Sequence, residues 1–538
     1  MWYHQALAQA LRQADVDTVF GVLGDANLFT MDSYVREQGG RFVSFSHEGG
    51  AVLAAAGYTS TSGRLGVATV THGPALTNTV TALVDASRSR TPLLLIAGDT
   101  AHHDRDNLQN IDQASIVLPT GALFETVRSA DTVAADLHGA IGRAWSERRP
   151  VVLNVPVDLQ WAPAPEVAVP FVPAPVRSAA VPDADDLDAA LGILASARRP
   201  LVLGGRGAAG AADALVELAA ALGAPVATTL RGKGLFAGHP FDLGIHGTLS
   251  HDIAGETIAR ADCVLAVGAG LNRWTTSKGE LTAGKRVVHI DDDPTALTRA
   301  IGVSVSLLGD AETTVRALTR ALVEAGTEPT AFASDKLATA LREHGTRGAG
   351  PAPAAGIDVE LALAQIDHAV PAERTLVIDD GRFIITAYRE LAAPRPSAYV
   401  HTCSFASIGL AVASAVGAHA GRPDQPVLVV CGDGGFMSAG LSEFSTLVRH
   451  GVDAVVVVMN DSAYGAEHMQ FRARDMDPAI STFDWPDLAP VAEALGGIGH
   501  TVTDHEELAV ALASLPARDR PVLIDVKIDP DRVPTPGY

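Results

Sequence analysis

Two stretches in the last third of the chain constrain its fold most. Val429-Val430-Cys431-Gly432-Asp433-Gly434-Gly435-Phe436 and, further on, Val455-Val456-Val457-Val458-Met459-Asn460-Asp461 are β-branched apolar runs that break off abruptly into polar residues. Runs this short and apolar suit strands buried on both faces, the situation of strands in a parallel sheet. In open α/β sheets the ligand crevice lies beyond the carboxyl ends of the strands. Neighbouring strands ending in Asp433 and in Asn460-Asp461 place hard oxygen ligands over one crevice. A divalent cation bridging to a diphosphate is the natural occupant. Taken alone, the same residues also read as two strand-to-helix loops with capping aspartates.

The pattern recurs along the chain. Short Val/Ile/Leu runs alternate with longer Ala/Leu-rich stretches of helical period, as parallel βαβ units do. Strands are expected at Leu65–Val70, Pro92–Ala97 and Pro150–Val155, then at Pro200–Leu203, Cys263–Val267 and Arg286–Ile290. Four more are expected at Thr375–Ile378, Pro426–Cys431, Asp453–Met459 and Pro521–Val526. Two Pro- and Ala-rich stretches without helical period, residues 157–185 and 343–356, read as linkers. They divide the 538 residues into domains at 1–170, 185–342 and 357–538. The expected fold is α/β, with three doubly wound parallel-sheet domains.

Composition removes several function classes. The net charge of -22 opposes a nucleic-acid surface, which needs clustered Lys and Arg. No apolar run approaches the roughly 18 residues that span a membrane. The opening Met-Trp-Tyr-His-Gln-Ala-Leu is not a basic region followed by an apolar core. Cys263, Cys403 and Cys431 form neither a metal spacing nor a disulfide framework. A soluble cytoplasmic protein is expected. In the middle third, Gly205-Arg206-Gly207-Ala208-Ala209-Gly210 has the form of a dinucleotide fingerprint. Ala224-Pro225-Val226-Ala227-Thr228-Thr229, where an acid that binds ribose is due, carries none. A tight strand-to-helix turn is the favoured reading of that loop.

Several segments, taken in order, resemble the thiamine-diphosphate enzymes of the acetolactate synthase and pyruvate decarboxylase type. They are Val19-Phe20-Gly21-Val22-Leu23-Gly24-Asp25-Ala26-Asn27-Leu28, Ser46-His47-Glu48-Gly49-Gly50-Ala51, Thr71-His72-Gly73-Pro74-Ala75-Leu76-Thr77-Asn78 and Asn107-Leu108-Gln109-Asn110. Arg231-Gly232-Lys233-Gly234 and His289-Ile290-Asp291-Asp292-Asp293-Pro294 are similar to the central domain of that family. The resemblance covers nearly the whole chain and implies pyrimidine-binding, central Rossmann-like and diphosphate-binding domains, in that order.

The resemblance also implies a site. Glu48 matches the carboxyl that hydrogen-bonds the cofactor's pyrimidine, reaching a cofactor held mainly by a second chain. A homodimer at least, and a homotetramer as the expected state, follow. Ile408 matches the apolar wedge that bends the cofactor, and the Ala406 carbonyl matches the acceptor of the pyrimidine amine. Gly381, Arg382 and Phe383 match the loop lining the diphosphate, with Arg382 atypical there. Gly432, Asp433, Gly434, Gly435 and Phe436 match the first half of the metal motif. Asn460, Asp461, Ala463, Tyr464, Gly465 and Ala466 match its second half.

Mg²⁺ is the implied metal. Counting from Asp433 reaches Asn460. Glu443, one place late, implies a one-residue insertion near Ala439-Gly440, and Tyr464-Gly465 then favours Asp461. The expected ligands are Asp433, Asp461 and the Ala463 carbonyl.

Asp25, His102-His103 and Glu467 resemble the proton-handling groups of the decarboxylases, and His72 stands where the family usually has Ser. Gln109 resembles the synthase and carboligase branch. Gly268-Ala269-Gly270-Leu271-Asn272-Arg273-Trp274 replaces the synthases' usual run there, which puts FAD in doubt. The implied activity is a lyase that decarboxylates a 2-oxo acid through an enamine, with acyloin carboligation as a companion activity. The alternatives are a synthase that joins two 2-oxo acids and, from a different class, a non-catalytic paralogue that binds the cofactor. Small 2-oxo acid donors and aldehyde or oxo-acid acceptors are the expected partners.

Overall fold

Valine-rich runs with no polar face can satisfy their backbone only inside a sheet covered on both sides, and the chain builds three such sheets. The computed structural model describes residues 1–104, 106–167, 171, 180–300, 302–345 and 356–532. The first sheet holds β1 (Thr18–Gly21), β2 (Arg41–Ser44), β3 (Gly66–Val70), β4 (Leu93–Asp99), β5 (Leu123–Thr126) and β6 (Pro150–Pro156). The second holds β7 (Pro200–Gly204), β8 (Val226–Thr228), β9 (Asp242–Ile245), β10 (Cys263–Val267), β11 (Arg286–Asp291) and β12 (Val305–Leu308). The third holds β13 (Thr375–Ile378), β14 (Tyr399–His401), β15 (Val427–Gly432), β16 (Ala454–Asn460), β17 (Ile498–Val502) and β18 (Val522–Lys527).

Every strand pair is parallel. The first and third sheets share one topology, β2-β1-β3-β4-β6-β5 and β14-β13-β15-β16-β18-β17. The middle sheet, β12-β11-β10-β7-β8-β9, has the doubly wound order of dinucleotide-binding folds.

All ten expected strands form, displaced by a residue or two at their ends. The other eight are short, and several lie at half-exposed edges, such as β2 and β5. They carry too little apolar period to be read from sequence. The first linker is partly built into the first domain. Trp2 bridges to Pro163, and the Ala164 N–H bonds to the Met1 carbonyl at 2.9 Å. At the second, the helix Asp335–Gly345 runs past residue 343, and residues 346–355 lie outside the described residues. Among the described residues no helix is long and apolar enough to cross a membrane.

The first and third domains share one continuous core. The helices Glu48–Ser62 and Ala411–Gly421 pack at close range because small residues line both. A Cβ on Gly417 would come within 1.8 Å of the Ala54 carbonyl oxygen, so only glycine permits that approach. The carboxyl ends of β15 and β16 and the start of the helix Glu48–Ser62 are thereby held in one rigid frame.

Candidate active site

β15 and β16 are neighbours in register, with Gly432 opposite Met459, so Asp433 and Asn460-Asp461 emerge side by side. Asp433 opens a helical run to Arg449 whose second turn, Phe436–Gly440, is π-helical. A π turn holds one residue more than an α turn. That turn lies where the resemblance places an extra residue before Glu443.

The two residues that competed for the second metal position have different surroundings. Asn460 is buried, its Nδ2 donating to Asp525 Oδ1 at 2.8 Å and its Oδ1 accepting from the Ser462 N–H at 3.1 Å. Its amide is fully engaged within the domain. Asp461 lies beyond it, where the chain turns through Ser462 at φ 51°, and its Oδ1 accepts from the Ala463 N–H at 3.1 Å. Asp461 stands close enough to Asp433 for the charge of one to act on the other. Burial, followed by the charge of Asp433, pushes the Asp461 carboxyl up to about 7, and burial likewise raises Asp433. Two like charges this close share a proton until a cation replaces it. The donor set is all oxygen, which suits a hard divalent cation.

A cradle surrounds the pair. A Cβ on Gly434 would meet the Tyr464 ring at 2.9 Å, and one on Gly435 would meet Asp379 Oδ2 at 2.8 Å. The Ile408 Cδ1 stands 3.8 Å from that same Gly434 position, so the side chain overhangs the cradle. Gly381, at φ +156°, faces the Phe383 ring. Arg382 is buried and donates to the Pro530 carbonyl; burial lowers its pKa against the nearby charge of Asp461. The Phe436 ring lies in the core, and the buried Phe383 ring packs against Gly381 and Gly432. Tyr464 and Ala466 are exposed and Gly465 is buried.

Sequence reasoning missed three side chains here. The loop carrying Ala406 and Ile408 is held at both ends by buried carboxylates. Asp85 of the first domain accepts from the Phe405 N–H at 2.9 Å, and Asp379 accepts from the Gly409 and Leu410 N–H groups at 2.8 and 3.1 Å. Between them Ala406 sits at φ 55°, a strained backbone that these anchors sustain. Burial raises the pKa of Asp85 and pushes Asp379 up to about 7. The third missed residue is Trp485, whose Nε1 donates to Asp433 Oδ2 at 2.9 Å. An aspartate ending a strand and a lone tryptophan in a loop carry no local signal of either role.

In the first domain Glu48 opens its helix and accepts from Asn78 Nδ2 at 2.9 Å. At the ends of β1 and β3, Thr71 Oγ1 donates to Asp25 Oδ1 at 2.9 Å and lies 2.9 Å from the Nδ1 of buried His72. His72, Thr71 and Asp25 thus form a chain from buried imidazole to exposed carboxylate. His102 and His103 are not part of it. Both are exposed, and His102 turns to Asp158 at 3.4 Å. The Gln109 carbonyl abuts Gly73, which adopts φ +60°. Glu467 is exposed on the helix Gly465–Arg472.

The glycine-rich loop of the middle domain forms a 3-10 turn over Arg206–Ala211. Gly205 and Gly207 are required by packing, since a Cβ on Gly205 would come within 2.1 Å of the Gly268 carbonyl oxygen and one on Gly207 within 2.9 Å of the Gly268 Cα. A cleft of about 1560 Å³ opens beside it, lined by Arg88, Arg90, Arg148, Arg206 and Arg231 and reaching Ala406. Two of those arginines are neutralised by the strand-end acids, Arg148 by Asp292 and Arg90 by Asp293.

Comparison with known proteins follows the three sheets. Residues 1–116 match the N-terminal TPP binding domain of thiamine pyrophosphate enzymes, residues 187–318 their central domain, and residues 379–526 their C-terminal TPP binding domain. The large subunit of acetolactate synthase isozyme 2 from Escherichia coli (strain K12) is 29% identical, over 98% of this chain and 95% of its own length. The probable 2-ketoarginine decarboxylase AruI of Pseudomonas aeruginosa is 30% identical, over 94% of this chain and 90% of its own. The acetolactate synthase large subunit of Corynebacterium glutamicum is 27% identical, over 98% and 87% respectively.

Proposed function

Because this chain belongs to the thiamine pyrophosphate enzymes of the acetolactate synthase and 2-oxo acid decarboxylase type, we propose that it is a lyase that removes CO₂ from a 2-oxo acid and releases an aldehyde. Joining the retained fragment to a second carbonyl is the companion activity. The observation that carries the reading is that Asp433 and Asp461 emerge side by side from paired strands, both buried, beneath the overhanging Ile408.

The residues present fit the cofactor. Asp433, Asp461 and the Ala463 carbonyl would hold Mg²⁺, and the N–H groups of Gly434 and Gly435, at the start of a helical run, would meet the diphosphate. Asn460 has no part in the metal set, because Asp525 and Ser462 occupy its amide. Ile408 would fix the bent shape of the ligand, with Asp85 and Asp379 holding its loop. Thiamine diphosphate, when bound, supplies a thiazolium carbon that adds to the 2-oxo carbonyl and accepts the electrons left as CO₂ departs.

Glu48, at a helix start in the first domain, would hold a proton against the pyrimidine ring. Its bonded partner, Asn78, belongs to the same domain, whereas the cradle is built by the third. In keeping with the family resemblance, we assign Glu48 to the site of a second chain, which makes the active unit a dimer. His72, relayed through Thr71 to solvent-exposed Asp25, can deliver a proton to the product carbon and reload from water. The reading calls on no FAD, and the contact of Gly205 and Gly207 with Gly268 supports a structural turn at the glycine loop.

One observation favours the synthase reading instead. His102 and His103, which resemble decarboxylase groups in sequence, are both exposed, and His102 pairs with Asp158. Product analysis separates the two. Incubated with thiamine diphosphate, Mg²⁺ and a panel of 2-oxo acids, the protein is expected to release CO₂ and aldehyde in equal amounts. Hydroxy-oxo acid as the main product would establish the synthase reading in its place.

A further inference from the structure

The carboxylate pair does not stand alone. Three aromatic rings rise beside it. Trp485 stacks on Phe483, centroids 4.6 Å apart and planes 19° from parallel, and Phe483 meets Tyr464 edge-on at 4.7 Å. Tyr464 closes over Gly434 at the far end of this column. The strand-like segment beneath the rings is stitched to the Asp461 turn. The Phe483 N–H bonds to the Ser462 carbonyl at 2.8 Å, the Tyr464 N–H to the Ser481 carbonyl at 2.9 Å, and Ala463 bridges to Thr482. Packing alone could account for the column. It does not account for the indole N–H, which is directed at one oxygen of Asp433, 2.9 Å away.

That contact has a chemical consequence. An indole N–H only donates and does not titrate in the working range of the protein. Asp433 Oδ2 is therefore anchored by Trp485, which fixes the plane of the carboxylate that meets a cation. A carboxylate with no such anchor can rotate away from its neighbour when both are ionised, because Asp461 repels it. Groups that orient a metal-binding side chain govern affinity nearly as strongly as the ligands do.

We propose that Trp485 is a positioning residue of the cation site: its indole N–H fixes the rotation of the Asp433 carboxylate and so sets the affinity for the divalent cation. The proposal rests on the reading of Asp433 as a metal ligand.

The test uses full-length protein with thiamine diphosphate present and follows free Mn²⁺ by electron paramagnetic resonance. Trp485→Phe keeps a ring to stack on Phe483 and removes only the donor. It is expected to weaken Mn²⁺ binding at least about tenfold, with the cation-free protein still unfolding cooperatively and its melting temperature lowered only by the loss of one part-buried hydrogen bond. Asp433→Ala is the control and is expected to abolish binding at this site. Mn²⁺ affinity within twofold of wild type in Trp485→Phe, with Asp433→Ala inactive in binding, would overturn the proposal and leave the cation site standing. Unaltered binding in Asp433→Ala would overturn the cation reading and this proposal together. Tryptophan emission of the unmutated protein gives a readout independent of any variant's folding. Added Mg²⁺ is expected to shift it, and an unchanged spectrum at saturating Mg²⁺ would count against the proposal.

Discussion

Cation binding at Asp433 and Asp461 should release a proton, and the structure sets its size. In the cation-free protein burial and the charge of Asp433 place the Asp461 carboxyl at about 7. An ordinary aspartate stands near 3.9, so the folded-state value is raised. The sign follows from that shift. The pair favours the folded state at acid pH, and that contribution is lost as pH rises through about 7. A divalent cation competes with the shared proton, so its affinity must rise over the same interval. A group of this pKa is about one-tenth ionised at pH 6 and about nine-tenths ionised at pH 8. The apparent dissociation constant should therefore fall roughly tenfold between them, equivalent to ~1.4 kcal/mol. Titration calorimetry with Mg²⁺ and thiamine diphosphate, in buffers of different ionisation enthalpy, reads both quantities. About half a proton should leave per cation at pH 7. Asp461→Asn should bind more weakly, with little pH dependence. An affinity flat from pH 6 to 8, or an undiminished slope in Asp461→Asn, would refute the shared-proton account.

Three further outcomes follow. Asn460→Ala removes the donor to Asp525 Oδ1, while Oδ2 keeps the Leu488 N–H and Lys527, and is expected to cost about 1–3 kcal/mol in denaturant unfolding while changing Mg²⁺ affinity little; loss of Mg²⁺ binding at intact stability would return the metal position to Asn460. Glu48→Gln and Asp433→Ala subunits, each inactive alone, should regain roughly a quarter of wild-type activity when mixed and reassembled, since half of random dimers then hold one intact site of two; no recovery despite proven subunit exchange would place both residues in one chain's site. Asp379, raised to about 7 by burial, should make the protein less stable as pH climbs from 5 to 8. Melting curves of Asp379→Asn at those two pH values should show a smaller fall than wild type, and equal falls would contradict the assignment.

Much of this architecture was legible beforehand because buried parallel strands leave a strong mark. The run Val455–Met459 can be little else, and its break at Asn460-Asp461 announces a sheet edge facing a crevice. The one-residue offset at Glu443 reads as an insertion near Ala439-Gly440, and the helix there carries a π turn at Phe436–Gly440. Other features left no mark. β5 and β17 are short and half-exposed, so neither period nor composition identifies them. Asp85 serves a loop more than 300 positions away, its bond to Phe405 spanning 320 residues. His102 and His103 show the converse: a local motif suggested a role, while the chain's path turns His102 toward Asp158. Local pattern reports burial and chain direction, but pairings made by docking one domain on another appear only in the folded molecule.

The central claim, that this protein decarboxylates 2-oxo acids at a thiamine-diphosphate site needing Glu48, is tested most directly by CO₂ release. Wild type and Glu48→Gln would be compared across a panel of 2-oxo acids, each with and without cofactor and Mg²⁺, with cofactor binding measured in parallel. The account predicts cofactor-dependent CO₂ release by wild type, and loss of most turnover in Glu48→Gln at retained binding. Near-normal turnover in Glu48→Gln, or no CO₂ from any donor by cofactor-loaded wild type, would contradict it.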